Sequence, residues 1–227
     1  MSLSHSPQIV TDGLVFCVDA AGKRSYPGTG TVWTDLVGEN DGTLTNGPTF
    51  SAVNGGSLVF DGTDDYVTTS FGNGDAATDP KTYSIWVKPS IDIDVSTAED
   101  VFFAQSFIDG ISWRYIGGKF FYTDEIVSGI YTTFTRLPGT FTPGVWYHFA
   151  LALDGSYGNW YTNGSYIRQD AYSAFTFTQN LVIGAQVAGG VNTKPLHGGI
   201  AMFSVYDRAL SATEVLQNYN ATRGRFV

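Results

Sequence analysis

The sequence predicts an all-β protein in which two antiparallel sheets pack face to face, with one short helix near the C-terminal end. The composition is the first reason: aromatic residues make up 15% of the chain, 27 residues are Gly, and Glu is rare. Such a composition suits pleated strands and tight turns. The second is that short alternating runs, bounded by turn residues, recur along almost the whole chain. The length of 227 residues is one that a single β sandwich often reaches.

The first half of the chain contains six predicted strands, and residues 23–34 are expected to form a loop. The strands are residues 13–19, 42–44, 48–50, 57–60, 65–69 and 82–88. Asn46 and Gly47 predict a hairpin tip, because this dipeptide favours positive φ, and residues 61–64 (DGTD) predict a tight turn. In strand 82–88, alternation places Tyr83, Ile85 and Val87 on one face and Ser84, Trp86 and Lys88 on the other.

The second half begins with residues 92–100, whose four acids predict a solvated loop. Eight further strands are expected, at residues 101–105, 111–116, 119–122, 146–153, 160–162, 166–169, 180–184 and 198–206. Asn163 and Gly164 mark the clearest hairpin. Ser211 and Glu214 have the spacing of a capping box, which predicts a helix over residues 212–220. We expect one domain over residues 1–227, with residues 1–12 as an N-terminal arm.

Charge and cysteine content exclude several classes of protein. The formal charge is −9, and an acidic surface repels phosphate backbones, so we expect no nucleic-acid partner. The N-terminus lacks the basic start and apolar stretch of a secretory signal, and no run approaches 18 apolar residues, so no membrane insertion is expected. Cys17 is alone, which allows neither an intrachain disulfide nor a zinc cluster, and its apolar neighbours predict burial.

Six segments, taken in order, resemble the laminin-G-like domains of the concanavalin A-like lectin/glucanase superfamily. They are residues 57–67 (SLVFDGTDDYV), 82–89 (TYSIWVKP), 146–150 (WYHFA), 160–164 (WYTNG), 181–184 (LVIG) and 198–211 (GGIAMFSVYDRALS). The resemblance covers about residues 57–220 and implies a jelly-roll sandwich. No single segment is specific, and the order of the six carries the resemblance.

The two ends of the chain are similar to those of such domains in tailed-phage structural proteins. The similar segments are residues 13–21 (GLVFCVDAA), 25–28 (SYPG), 33–36 (WTDL) and 216–226 (LQNYNATRGRF). This resemblance implies a virion component, such as a capsid decoration, head fibre or tail adhesin, made in the host cytoplasm without a signal peptide. Its partners would be other virion proteins of the capsid or tail, and homo-oligomers are a further expectation.

Enzymatic chemistry is not expected. Glycosidases need a pair of carboxylates about 5.5 Å apart for retention, and the nearest match, Glu39 with Asp41, lacks a third acid and falls in a turn. His148 lies inside a predicted strand, where a buried, hydrogen-bonded role is favoured over that of a base. No cofactor is required, but relatives of this fold often bind Ca²⁺ at the sandwich rim. By position, Asp109 and Gln186 resemble those ligands, although the stretch 186–188 lacks the acids of calcium-binding members.

Carbohydrate binding would use aromatic side chains as platforms for sugar rings, with polar groups that orient the hydroxyls. The candidates are Trp113, Tyr115, Tyr122, Tyr131 and Trp160, of which Trp113 and Tyr115 share a strand face. For each of them a place in the sandwich core is the alternative. Our leading hypothesis is a non-enzymatic virion structural or adhesion protein. A free carbohydrate-binding lectin module is the second hypothesis, and a glycoside hydrolase is the third.

Overall fold

The structure is a computed structural model that describes most of the chain. The described residues are 8–72, 79–90, 99–105, 110–116, 120–127, 130–137, 141–172, 177, 179–188 and 191–226. Of residues 110–116, 120–127, 130–136, 187–188 and 191–193, the backbone alone is described. Within these ranges no helix has the length and the apolar stretch that a membrane crossing needs.

Eighteen strands and one α-helix make up the described elements. The first nine strands are β1 (Leu14–Asp19), β2 (Val32–Trp33), β3 (Gly42–Thr45), β4 (Thr49–Ser51), β5 (Ser57–Asp61), β6 (Tyr66–Thr68), β7 (Lys81–Pro89), β8 (Glu99–Ala104) and β9 (Gly110–Ile116). The others are β10 (Phe120–Val127), β11 (Ile130–Arg136), β12 (Tyr147–Leu153), β13 (Tyr157–Thr162), β14 (Ser165–Ala171), β15 (Val182–Ile183), β16 (Gln186–Ala188), β17 (Val191–Thr193) and β18 (His197–Tyr206). The helix, α1, spans Ala212–Thr222, and 3-10 turns lie at Val53–Gly55 and Arg223–Arg225.

The strands form two antiparallel sheets of eight strands each, which confirms the predicted sandwich. Sheet A has the order β14-β13-β12-β7-β18-β5-β4, and β1 also pairs with β18. Sheet B has the order β11-β10-β9-β8-β15-β6-β3-β2. Strands β16 and β17 form a separate ribbon. Within each sheet, hairpin-linked neighbours such as β12 and β13 alternate with neighbours from distant parts of the chain, such as β7 and β18.

Strand β7 shows how alternation in the sequence builds the two faces of sheet A. Tyr83, Ile85 and Val87 point into the core between the sheets, where each is at most 1% exposed. Their neighbours point to the outer face, where Trp86 packs in a second apolar cluster with Cys17 and Trp146. The predicted faces of this strand are therefore confirmed, as is the burial of Cys17.

The outer face of sheet A is covered by both ends of the described chain. Helix α1 buries Val215 against this face, and the ring of Phe226 stacks on Trp86 with centroids 4.2 Å apart. Val10 donates its N–H to Asn218 of α1 at 2.8 Å. Arg225 pairs with both carboxylate oxygens of Asp19, at 2.9 and 3.1 Å. The two ends thus form one layer over the sheet.

The N-terminus of α1 carries the capping box that the sequence predicts. The Ser211 hydroxyl accepts from the N–H of Glu214, and the Glu214 carboxylate accepts from the N–H of Ser211. Leu210 and Val215 are both buried in one cluster, which is the contact of a hydrophobic staple. The guanidinium of Arg208 bonds the Glu214 carboxylate and holds the pKa of that acid at about 2.

Replacing Ser211 with Ala is expected to lower the free energy of unfolding by about 1 kcal/mol, because the first turn of α1 loses its side-chain acceptor. Urea denaturation at pH 7 measures this loss. Ser165→Ala is the matched control, since Ser165 is exposed at the start of edge strand β14. Equal losses in the two variants would mean that the cap does not stabilise the protein.

Several local predictions need correction. Asn46 and Gly47 do have positive φ, 65° and 117°, but they join β3 of sheet B to β4 of sheet A and are not the tip of a hairpin. The expected loop 23–34 contains the short strand β2, which pairs with β3. Strands β11, β16 and β17 were not predicted. The hairpin at Asn163 and Gly164 is confirmed, with φ of 50° and 75°.

The acidic stretch 92–100 is also only partly a loop, because Glu99 and Asp100 begin strand β8. Asp100 is 3% exposed and accepts a hydrogen bond from the N–H of His197 at 3.0 Å. The preceding acids of the stretch lie outside the described residues. Spacing along the sequence does not mark Asp100 as a buried acid.

Candidate functional site

A groove crosses the outer face of sheet A where one strand position carries no side chain. Gly199 of β18 pairs with Val59 of β5 on one side and with Lys88 of β7 on the other. Adjacent strands lie about 4.8 Å apart, so the missing side chain leaves a gap of about 9–10 Å between Val59 and Lys88. We call this depression, of about 340 Å³, the Gly199 groove.

The walls of the Gly199 groove come from three strands and two connecting segments. Its lining residues are Val59, Lys88, Pro89, Ser90, Gly144, His197, Gly198 and Gly199. Two backbone hydrogen bonds fix the segments at its end: Ser90 donates to the carbonyl of His197 at 2.8 Å, and Gly144 donates to that of Pro89 at 2.7 Å. The groove therefore rests on hydrogen-bonded backbone.

Lys88 and Trp146 form one side of the groove. The Lys88 ammonium stands 5.4 Å from the centroid of the Trp146 ring, a favourable cation–π distance. Trp146 is 7% exposed, because Phe226 packs on it with centroids 4.9 Å apart. A Cβ atom at Gly199 would stand 3.3 Å from the edge of the Trp146 ring. The lysine head is thereby held near the bare floor.

His197 forms the far end of the groove, and its backbone is held on both sides. Its N–H donates to the buried Asp100 carboxylate, and its carbonyl accepts from Ser90. Burial raises the pKa of Asp100 to about 6, and the hydrogen bond from His197 limits that rise. Gly62 packs tightly against the His197 side chain, since a Cβ there would lie 2.8 Å from the His197 Cβ.

The turn beside His197 is acidic. One carboxylate oxygen from each of Asp61, Asp64 and Asp65 lies within 4.8 Å of the others. The carboxylate of Asp61 accepts from the N–H of Thr63 at 2.8 Å, and that of Asp65 accepts from the N–H of Asp61 at 3.0 Å. Burial raises the pKa of Asp65. These hydrogen bonds account for Asp61 and Asp65 as residues that shape the turn.

Among the five residues of the predicted sugar platform, Trp160 alone has a described side chain. Trp160 is 4% exposed and lies in the core between the sheets, so its ring offers no surface to a sugar. Trp113 and Tyr115 lie on β9, Tyr122 on β10 and Tyr131 on β11. Only the backbone of these four residues is described, so their part of the sugar-binding expectation stays a prediction.

Of the two expected calcium ligands, the structure describes only Gln186. Asp109 lies outside the described residues, whereas Gln186 is 1% exposed at the start of β16. Calcium takes about six to eight oxygen ligands, and one carboxamide does not make such a site. The calcium expectation at Asp109 and Gln186 stays a prediction, and no step below depends on it.

Comparison with known proteins identifies the family. A laminin-G family model, described as the concanavalin A-like lectin/glucanases superfamily, matches residues 61–216, about two thirds of the chain. The chain belongs to this superfamily. No curated protein sequence matches it closely enough to count as a relative. The resemblance that the ordered segments carry is confirmed at the level of this superfamily.

Solved structures of the superfamily fold align over nearly the whole chain. The binding domain of Paraclostridial Mosquitocidal Protein 1 aligns with a TM-score of 0.74, 14% identity, and coverage of 92% of this chain and 52% of that one. The botulinum neurotoxin serotype G binding domain gives 0.68, 15%, 91% and 50%. Trypanosoma rangeli sialidase in complex with sialic acid gives 0.68, 16%, 96% and 36%. The chain spans about half of the binding domains, and identities this low show the fold alone.

One feature of the sequence does indicate the Gly199 groove, and it is not one of the aromatic candidates. Gly198 and Gly199 stand together inside a predicted strand, where glycine is unfavourable unless something approaches the backbone closely. Both lie in the predicted strand 198–206. Lys88 was likewise placed on the outer face of its strand, opposite the core.

Proposed function

We propose that this protein is a non-catalytic adhesion module that binds carbohydrate in the Gly199 groove. The observation that carries the proposal is the groove itself, formed on rigid sheet backbone in a member of a lectin superfamily. Its volume of about 340 Å³ is near the lower end of the range for small-molecule sites, about 300–1,000 Å³. Two solved neighbours are named as binding domains, which agrees with this class of function.

The lining of the groove favours binding over hydrolysis. Hydrolysis of a glycosidic bond needs two carboxyl groups on either side of that bond. In the described part of the chain, no residue that lines the groove is Asp or Glu. Glu39 and Asp41, the nearest match in sequence, lie outside the groove, and Asp41 instead accepts from the N–H of Asp35 at 2.9 Å. The alignment with a sialidase concerns the fold and brings no catalytic residues to this groove.

The setting that we propose is the particle of a tailed phage, where the module would be a capsid decoration, head fibre or tail adhesin. The support is the similarity of residues 13–21 and 216–226 to the ends of such virion proteins. Mass spectrometry of purified virions should then find this chain. Virions that lack it would refute the setting while leaving the binding function open.

Filling the groove should weaken carbohydrate binding. Gly199→Leu places a side chain where the sugar would lie, and we expect affinity for any glycan bound by the wild type to fall about tenfold or more, because one side of the ligand loses its contact surface. A glycan array followed by calorimetric titration measures this loss. The array is run with and without calcium.

Gly224→Leu is the matched control, because it adds the same side chain where no atom lies within 4 Å and Gly224 does not line the groove. Both variants are compared with the wild type in thermal unfolding, so that misfolding of Gly199→Leu is recognised. An array that stays blank for the folded wild type in both conditions would refute carbohydrate binding. Equal binding by all three proteins would refute this groove as its site.

A further inference from the structure

The side chain of Lys88 places a positively charged ammonium group at the Gly199 groove. Among the residues with described side chains, no carboxylate lies within ion-pair distance of its ammonium, and its neighbour is the ring of Trp146. Arg208 and Arg225 differ from Lys88, because each forms an ion pair within the protein. Arg208 pairs with Glu214, and Arg225 pairs with Asp19. Lys88 is therefore available to an anion that enters the groove.

The groove differs in charge from the chain that contains it. The chain has 21 acidic and 12 basic residues, a formal charge of −9, so most of its surface repels anions. Among the described residues that line the groove there is no acid, and two of them are Lys88 and His197. Asp61, which pairs with His197 in the sheet, does not line the groove, and its carboxylate bonds within its own turn. A local anion-binding surface in an acidic protein favours a specific site over general charge attraction.

The imidazole of His197 adds a hydrogen-bonding group at the opposite end from Trp146. Its backbone groups are engaged by Asp100 and Ser90, and within the described part of the chain its ring makes no hydrogen bond. An imidazole is both donor and acceptor, as a hydroxyl ligand requires. The floor between His197 and Lys88 is the bare backbone at Gly198 and Gly199. The apolar C–H face of a ring can lie on this floor.

The size of the groove excludes a folded protein as its occupant. Stable protein interfaces bury about 800 Å² on each partner, whereas this groove is one side chain deep and about two strand spacings wide. A ligand that suits it has a ring with an apolar C–H face, hydroxyl groups and one negative charge. A sugar that bears a carboxylate has all three.

We propose that the Gly199 groove binds a carboxylated sugar, such as a uronate unit of an acidic polysaccharide, with the carboxylate on Lys88 and a hydroxyl on His197. This inference rests on the proposed carbohydrate-binding function and names its ligand class. Hydrogen bonds between charged groups contribute the most to such recognition. Loss of the Lys88 charge should therefore weaken binding about tenfold or more.

The experiment uses the full chain and four acidic polysaccharides: polygalacturonate, alginate, hyaluronan and polysialic acid. Each is titrated beside its carboxyl-reduced form, which keeps the ring and removes the charge. We expect at least one acidic polymer to bind, its reduced form to bind about tenfold or more weakly, and Lys88→Gln to lose the same preference. Lys23→Gln is the matched control, because Lys23 is exposed, lies outside the groove and changes the net charge equally.

The outcomes separate this inference from the proposed function. Binding of neutral glycans with no preference for carboxylates would overturn the inference and leave carbohydrate binding intact. Absence of any glycan binding by the folded protein would overturn both. Binding of acidic polymers that is equal in Lys88→Gln and Lys23→Gln would place the site elsewhere. Binding of polyglutamate through Lys88 as tightly as the best polysaccharide would show that the groove recognises acidic chains and not sugars.

Discussion

Replacing Trp86 with Ala is expected to lower the free energy of unfolding by about 3–5 kcal/mol, because a large buried ring is lost and the cavity cannot close. The ring is 2% exposed and lies under three others. It stacks on Phe226 at 4.2 Å and on Tyr219 at 5.7 Å, and it contacts His148 at 5.3 Å. Both helix α1 and the C-terminal turn depend on this ring.

The indole of Trp86 also donates from Nε1 to the hydroxyl of Thr222 at 2.8 Å, so two contributions must be separated. Trp86→Phe keeps an aromatic ring and removes this hydrogen bond. Thr222→Val removes the same bond from the helix side and keeps the indole in place. We expect both to cost far less than Trp86→Ala, on the order of 1 kcal/mol for the bond. Urea denaturation followed by tryptophan fluorescence and by circular dichroism measures the three losses.

A loss of about 1 kcal/mol or less in Trp86→Ala would contradict this account, because the layer formed by the chain ends would then contribute little to stability. Coincident transitions by both probes indicate that the layer unfolds together with the sandwich. An earlier transition by fluorescence would mean that α1 and Phe226 leave the sheet first. Phe226 also packs on Trp146 at the side of the Gly199 groove. If Phe226 leaves the sheet, glycan titrations of Trp86→Ala would measure binding to a groove in which Trp146 has lost this contact.

Local signals in the sequence predicted local structure well. The capping box of Ser211 and Glu214, the alternation along β7 and the turn at Asn163 and Gly164 each depend on residues within a few positions of one another. The pairing of β18 with β5, β7 and β1 depends on segments more than a hundred residues apart, and no pattern in one strand specifies its neighbours. For this reason the dipeptide of Asn46 and Gly47 correctly predicted a turn with positive φ. It did not predict that this turn joins two different sheets.

The candidate site was missed for a related physical reason. Aromatic residues were chosen because sugar rings stack on them, yet the core of a sandwich needs the same residues, and Trp160 is in the core. The groove exists because a glycine stands between Val59 and Lys88, which are separated by 29 residues in sequence and meet only across β18. What the sequence offered was the glycine pair 198–199 alone, without the two side chains that give it walls.

His148 should make the protein less stable in acid. The ring is 1% exposed beneath α1, its Nε2 lies 2.9 Å from the hydroxyl of Ser84, and its Nδ1 finds no partner among the described residues. Burial lowers the pKa of His148 to about 3 from the 6.5 of a free histidine. The folded protein therefore keeps this ring neutral, while the unfolded chain takes up a proton below about pH 6.5. Stability falls as the pH drops from about 6.5 towards 3, by about 1.4 kcal/mol per pH unit.

Asp100 acts in the opposite direction over part of the same range. Its folded pKa, about 6, lies above the 3.8 of a free carboxyl, so its protonated form stabilises the folded state at low pH. That contribution is lost as the pH rises through about 6. Between about pH 4 and 6 the two groups offset each other, and the stability curve of the wild type alone would hide both. Single variants are needed to separate them.

The difference between the wild type and His148→Gln removes Asp100 from the comparison, because both proteins contain it. We expect the variant to be the less stable protein at pH 7, where it loses packing. As the pH falls below about 6, the difference should shrink by about 1.4 kcal/mol per unit and then reverse, because glutamine has no proton to gain. Asp100→Asn should show the opposite trend: its free energy of unfolding should increase relative to that of the wild type as the pH rises from 4 to 7. Urea denaturation at pH 7, 6, 5 and 4 measures both curves, and a His148→Gln difference that is constant with pH would mean that solvent reaches His148 in the folded protein.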